Sequence, residues 1–307
     1  MNVDNFARAE TDRMLASLQA DAGGVNRFGH NRIPTPVDHQ TVIRMNRDTL
    51  YSFAAVDISE GATVTLPESG DRYLSVMVVN QDHYINGIFH DPGEHSLTVE
   101  QFDTPWVGVA ARVLVDPSDS DDVAAVNKLQ DQFAIEAKSA KPLGTSEYDT
   151  ASLDETRKLL LGLARGLTSF DHAFGTKSYV NPVRHLIATA AGWGGLPDQE
   201  ATYVGVEPKL PVGAYQLRVR DVPVDGFWSI SVYNADGFFE PNDRDSYSVN
   251  NITATPNDDG SITVHFGGDD QPNLIPIMDG WNYIVRLYRP RPEILAGTWK
   301  FPTIETV

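Results

Sequence analysis

The residues best equipped for chemistry fall in three places. Asp82-His83 follows the apolar run 76–79, at the end of an expected strand, where functional groups often collect on loops. A carboxylate beside an imidazole can fix its tautomer and raise its basicity, which is the arrangement of an acid–base pair. Arg184-His185 opens an expected helix and is followed by Gly192-Trp193-Gly194-Gly195. An arginine offers an anion two parallel donors, a histidine can carry a proton, and a tryptophan framed by glycines gives a flat wall. The third cluster, Asn46-Arg47-Asp48 with Tyr51, is the densest in polar groups. An arginine and an aspartate this close more often form a buried structural ion pair than a catalytic one.

Asp82, His83 and His185 are therefore the candidate catalytic groups, and Arg47, Arg184 and Trp193 candidate ligand contacts. Tyr233 and Tyr288 join them, since both fall on the polar phase of C-terminal strands and can line a cleft. Each candidate also has a packing reading. His83 can be a strand-end side chain bonded to backbone, Arg184 a helix-terminal residue bonding locally, and Trp193 a wall packed on a sheet.

Other chemistries find less footing. His83, His90 and His95 lie within thirteen residues, but their spacing matches no helical metal motif, and no metal site is assigned. The chain has no cysteine, which excludes disulfides, thiol catalysis and cysteine-bound clusters. No Gly-x-Ser-x-Gly pentapeptide is present, which weakens a serine-hydrolase reading. Phosphate-loop and dinucleotide glycine patterns are also missing, so no cofactor is expected. Asp116, Asp119, Asp121 and Asp122 lack the glycine and terminal glutamate of a calcium loop and read as helix capping.

The net charge of −18 bears on partners. Repulsion from phosphates argues against nucleic acid and against an anionic membrane surface. No apolar run approaches the roughly 20 residues that span a bilayer, and the first residues have no basic or apolar signal region, so a cytoplasmic location is expected. Asp (29) outnumbers Glu (13) and Arg (17) outnumbers Lys (7), consistent with a GC-rich genome or a salt-tolerant host.

The elements that must hold these groups follow from hydrophobic spacing. An opening helix is expected, capped by Asp4, with Phe6, Met14 and Leu18 along one side and Gly23-Gly24 as its stop. The segment 28–47, rich in Pro, Asn, Arg and His, reads as an irregular ordered loop. Short β runs follow at 51–58, 62–66, 73–79, 96–99 and 107–115, a spacing typical of an antiparallel unit. Three helical patterns come next. One starts at Ser120-Asp121-Asp122, with Val123, Val126, Leu129 and Phe133 on one side. Another starts at a capping box, Ser152 to Glu155, and carries Leu159, Leu160, Leu163, Leu167 and Phe170. A third has Asn181 as N-cap and Pro182 at the first position. After Gly213 the alternation returns: Trp228, Ile230 and Val232 against Ser229, Ser231 and Tyr233, and Trp281, Tyr283, Val285 and Leu287 against Asn282, Arg286 and Tyr288.

Two segments carry a family resemblance. Asn46-Arg47-Asp48-Thr49-Leu50-Tyr51-Ser52, Asp57 and Arg72-Tyr73 resemble the N-terminal signature of domain-of-unknown-function family 1254. Gly226-Phe227-Trp228-Ser229-Ile230-Ser231-Val232-Tyr233-Asn234, Trp281-Asn282-Tyr283, Arg286-Leu287-Tyr288-Arg289-Pro290 and Gly297-Thr298-Trp299 resemble family 1214. The resemblance implies two β-rich domains, the second jelly-roll-like, joined by helices. It leaves lectin-like carbohydrate binding and carboxylesterase-like activity both open.

These readings converge on an α+β, mostly β chain: two antiparallel β-sandwich or jelly-roll-like domains bridged by a block of helices. The expected boundaries are 1–118, 119–200 and 201–307. The expected function is an enzyme acting on a small organic molecule in an interdomain cleft, with His/Asp acid–base chemistry and an arginine anion site. The alternative is a non-catalytic protein binding a carbohydrate or other small molecule. A homo-oligomer is left open.

Overall fold

The structure is a computed structural model and describes residues 1–40, 43–144, 148–167 and 169–307; residues 41–42 of the expected loop 28–47 lie outside the described residues. The chain is α+β and mostly β, built from antiparallel sheets with helices packed among them. It divides by contacts into two units, and the division is interleaved. Unit 1 comprises Met1–Arg32, Leu50–Leu114 and Asp121–Asp198; unit 2 comprises Ile33–Thr49, Val115–Ser120 and Gln199–Val307. The consecutive boundaries expected from sequence miss this exchange. The helical segment clusters with the N-terminal strands, and the Asn46–Asp48 signature clusters with the C-terminal ones.

Unit 1 opens with α1 (Phe6–Asp21) and continues through β1 (Gly29–His30), β2 (Thr49–Asp57), β3 (Ala62–Leu66), β4 (Leu74–Asn80), β5 (Ile85–Phe89) and β6 (Gly93–Leu97). Then come α2 (Val99–Phe102), β7 (Trp106–Leu114), α3 (Ser120–Gln130), β8 (Ala134–Ala137), α4 (Thr150–Ala164) and α5 (Pro182–Ala191). One sheet has the order β1-β2-β7-β4-β5 and another the order β6-β3-β8. Every residue of β4 is buried, as its unbroken Leu-Ser-Val-Met-Val-Val run requires of a strand covered on both faces. Phe6 and Ala9 of α1, Leu153 and Leu160 of α4, and Ile187 and Ala190 of α5 form one apolar cluster.

Several local expectations need correction. Asn5, not Asp4, sits at the N-cap of α1, and it makes no side-chain cap bond. The fully buried apolar residues of that helix are Phe6, Ala9 and Leu15; Leu18 packs beside Leu15 while partly buried, and Met14 is only partly buried. Helix α4 starts earlier than its apparent capping box, because the Asp149 carboxylate already accepts from the Ser152 amide. Leu159 and Leu163 are 64% and 61% exposed. Leucines at four of five adjacent positions cannot all face one stripe of a helix, and the partner side takes Leu153 and Leu160.

Unit 2 contains β9 (Ala201–Val206), β10 (Tyr215–Val219), β11 (Trp228–Tyr233), β12 (Ser248–Asn250), β13 (Ile262–Phe266), β14 (Leu274–Ile275), β15 (Asn282–Tyr288), α6 (Pro292–Leu295) and β16 (Glu305–Thr306). Two four-stranded sheets form, β14-β13-β10-β16 and β12-β11-β15-β9. Their apolar phases share one core: Leu217, Val264 and Phe266 from the first, with Trp228, Ile230, Tyr283 and Val285 from the second. This is the packing of a β-sandwich. Register places Ser229 between Asn250 on β12 and Arg286 on β15, so these three polar side chains share the other face of the second sheet.

Candidate functional site

In unit 1 the two expected catalytic histidines, His83 and His185, do meet. The Asn80 side chain shapes the turn after β4, accepting from the amides of Asp82 (3.0 Å) and Tyr84 (2.9 Å). His83 adopts a left-handed backbone (φ 65°), uncommon outside glycine, and its ring is wholly buried. The Gly194 amide donates to His83 Nε2 (3.0 Å), which fixes the proton on Nδ1. That nitrogen donates to Thr189 Oγ1 (2.8 Å), whose hydroxyl donates in turn to the His185 carbonyl (2.9 Å). A neutral His83 therefore satisfies every bond it makes. Burial, and then the nearby His185, hold its pKa well below the ordinary histidine value.

His185 faces two carbonyl oxygens, Asp82 O from Nε2 (3.0 Å) and Ala173 O from Nδ1 (3.2 Å). Burial lowers its pKa, against the pull of those two carbonyls and of the Asp82 carboxylate. Tyr84, His185, His83 and Trp193 stack in series, with centroid separations of 4.6, 5.4 and 5.7 Å. Trp193 ends the stack by donating from Nε1 to Thr11 Oγ1 (3.2 Å). The glycines beside it serve close approach: Gly194 has φ 77°, and a Cβ on Gly195 would lie 2.5 Å from the Phe174 ring.

The remaining groups of this cluster are engaged elsewhere. The Asp82 carboxylate bonds Arg8 Nε (2.7 Å) at the surface, so it does not pair with the His83 imidazole as expected, and it is the Asp82 carbonyl that meets a ring, that of His185. Arg184 donates to the carbonyls of Ser169 (3.0 Å) and Asp171 (3.3 Å). The start of α5 is occupied by Asn181, whose side chain accepts from the Val183 and Arg184 amides. His90 and His95 bond the carbonyls of Leu74 and Asp91, and no group of three or more metal-ligating side chains assembles among the described residues.

Unit 2 corrects the reading of Tyr233 and Tyr288. Both are buried, because the face they share with Ser229, Ser231 and Arg286 is roofed by the segment around Met45. Tyr233 donates its hydroxyl to Met45 O (2.7 Å). Arg286 donates to Ser231 Oγ (2.8 Å), the Tyr233 hydroxyl (2.7 Å), Arg44 O (3.0 Å) and Met45 O (3.1 Å). Asn46 Nδ2 reaches the Tyr288 hydroxyl (3.0 Å), and Asn250 Nδ2 reaches Asp48 Oδ1 (3.3 Å). Asp48 is fully buried and its second oxygen has no hydrogen-bond partner among the described residues. Burial opposes the Arg286 charge, but Tyr233, Tyr288 and Asp48 outweigh it and hold its pKa above the ordinary arginine value. The Asp48 carboxylate thus compensates Arg286, rather than pairing with its sequence neighbour Arg47.

Arg47 points elsewhere. Its guanidinium lies 5.2 Å from the Tyr247 ring centroid and donates from Nη1 to Thr35 O. It helps line a cavity of about 290 Å³ whose walls are mostly hydroxyls and amides, from Ser246, Tyr247, Ser248, Asn250, Thr253, Thr255 and Asn273. Burial lowers the Arg47 pKa, against the opposing pull of Asp245, Tyr247 and Asp48. A larger groove, about 590 Å³, follows β3 and β6 in unit 1, but its charged lining residues Glu60, Glu136 and Lys138 are all exposed. The smaller cavity holds the half-buried charge, and for that reason it is the better candidate site.

Sequence reasoning named Arg47 but missed Tyr247, Asn250 and the structural weight of Arg286. A signal for Arg286 was present: an arginine inside an apolar strand, in phase with Tyr288 and with the serines of β11.

Comparison with known proteins agrees with the resemblance read from sequence. Residues 210–292 match the family described as protein of unknown function (DUF1214), and residues 25–88 match protein of unknown function (DUF1254). No curated protein matches the chain. Among solved structures, the VPA0106 protein from Vibrio parahaemolyticus is 19% identical, with TM-score 0.74 over 100% of both chains. A putative uncharacterized protein from Burkholderia cenocepacia is 15% identical, with TM-score 0.55 over 97% of this chain and 87% of the other. At such identities the likeness is one of fold. The Arg286 network joins residues of both signatures, Asn46 and Asp48 from the first and Ser231, Tyr233 and Tyr288 from the second. Among the described residues no helix is long and apolar enough to cross a membrane.

Proposed function

We propose that this protein binds one small, polar, polyhydroxylated molecule in the cavity of unit 2. The observation that carries the reading is a half-buried arginine in the wall of a hydroxyl- and amide-lined cavity of about 290 Å³. That volume is at the low end for ligand pockets and suits a monosaccharide-sized molecule. The lining is polar in place of the usual apolar walls, with Ser246, Asn250, Thr253 and Asn273 held by bonds to their neighbours and Arg47, Ser248 and Thr255 beside them. Beneath it, Arg286, Tyr233 and Asn250 fix the loop that carries Arg47, which lowers the ordering cost of binding. An acid–base role for Asp82, His83 and His185 draws little support from side chains whose bonds are spent inside the protein.

A thermal-shift and calorimetric screen of sugars, polyols and small hydroxy acids tests the reading. A ligand at 100-fold its Kd should add about 2.7 kcal/mol of stability. Thr255→Trp, which narrows the mouth at an exposed lining residue, should abolish that gain while leaving the melting temperature of the free protein unchanged. Binding that survives Thr255→Trp, or no binding across the panel, would overturn the assignment.

A further inference from the structure

We propose that the ligand is an anion of the hydroxycarboxylate class, with its carboxylate held by Arg47. The inference rests on the cavity being the binding site and goes on to specify what fills it. The other charges of the cavity are satisfied or solvated. Asp116 Oδ1 accepts from the Ser118 amide (2.9 Å) and hydroxyl (2.6 Å). Arg244 pairs with Asp270 (2.7 Å). Asp245 is exposed, sits beside the Tyr247 phenol and, with Asp48, already favours the Arg47 charge without a hydrogen bond to its fork among the described residues.

Arg47 differs from all of these. A guanidinium carries five N–H donors in a planar fork. Among the described residues the fork has one hydrogen-bond acceptor, Thr35 O, and one aromatic face, Tyr247. A cation drawn from water with donors unspent has lost hydration that a planar, two-oxygen anion can replace, and a carboxylate matches the fork in a bidentate pair. Of the surrounding polar side chains, Ser246, Asn250, Thr253 and Asn273 are engaged within the protein, and the Ser248 and Thr255 hydroxyls are left to meet the ligand's own hydroxyls, so the combination selects a hydroxylated carboxylate over a bare one.

The protein's net charge of −18 works against anions at long range. Selection of an anion must therefore come from the Arg47 contact itself, which makes the inference sharply testable. Calorimetry with two matched pairs, D-glucuronate against D-glucose and D-glycerate against glycerol, isolates the carboxylate. For at least one pair the wild-type protein should prefer the acid by roughly 10- to 100-fold, the range for a charged hydrogen-bonded contact. Arg47→Gln should bring that pair to parity, and Arg47→Lys, which keeps the charge but loses the fork, should fall between. Should Arg47→Gln fail to fold, the wild-type preference and the Arg47→Lys value still decide the matter.

Equal or reversed preference in the wild type, or a preference that survives Arg47→Gln, would overturn the carboxylate assignment and leave the cavity reading standing. Failure of all four probes, together with the wider screen, would overturn both.

Discussion

The histidine stack of unit 1 and the arginine pair of unit 2 look alike in the sequence, since each is a set of ionisable residues beside aromatics. They differ in how their hydrogen bonds are spent. His83 has a partner on each ring nitrogen and is neutral, so it behaves as a shaped piece of core. Arg286 likewise spends its donors on Ser231, Tyr233 and the Arg44–Met45 carbonyls. Arg47, three residues beyond Arg44, has one hydrogen-bond acceptor among the described residues and lies at the edge of a cavity. Burial and unusual ionisation are shared by structural and functional groups; what separates them is the uncommitted donor.

The largest effect is expected at Arg286. Arg286→Met removes the clamp on Arg44 and Met45 and leaves the buried Asp48 carboxylate uncompensated, which should cost about 3–5 kcal/mol in urea denaturation. Adding Asp48→Asn to Arg286→Met should recover part of the loss. If the double variant is no more stable than the single one, Asp48 is not the compensating charge.

His83→Ala comes next. It orphans the Gly194 amide, removes the Thr189 partner and opens a void beside Trp193, for about 2–4 kcal/mol. Ligand affinity at the unit 2 cavity should not change. A loss of affinity without loss of stability would reverse the contrast between the two regions.

The most gradual effect concerns pH. His83 and His185 both have folded pKa values below the ordinary 6.5, so the unfolded chain takes up protons that the folded chain refuses. Their contribution is fully present above about pH 6.5 and is lost as pH falls toward the depressed folded values, by at most ~1.4 kcal/mol per unit for each ring. His30 and His265 shift in the same direction. The test is therefore the difference between wild type and His83→Gln/His185→Gln, whose stability should fall less steeply from pH 7 to 5. Parallel slopes would contradict the burial argument.

Much of the scaffold was legible because its signals are local. The strand at 62–66 was read to the residue, and Asn181-Pro182 marked the start of α5. β8 was missed because Ala134-Ile135-Glu136-Ala137 is a helix-favouring string, extended here only by pairing with β3. β5 was missed because Asn86 and Gly87 interrupt its pattern; at Gly87 a Cβ would press on the Phe102 ring. Of the site, Arg47 was legible from its polar neighbours. Tyr233 and Tyr288 were placed on the correct phase of their strands, but nothing local reveals that a segment some 190 residues earlier covers that phase. That covering also engages the donors of Arg286.

The central claim is that ligand recognition belongs to the Arg47 cavity and not to the histidine stack. Hydrogen–deuterium exchange with and without saturating D-glucuronate tests it most directly. Added protection is expected at residues 43–50 and 244–255 alone, with 81–84 and 185–194 unchanged. Protection centred on His83 and Trp193, with none around Arg47 and Tyr247, would contradict it.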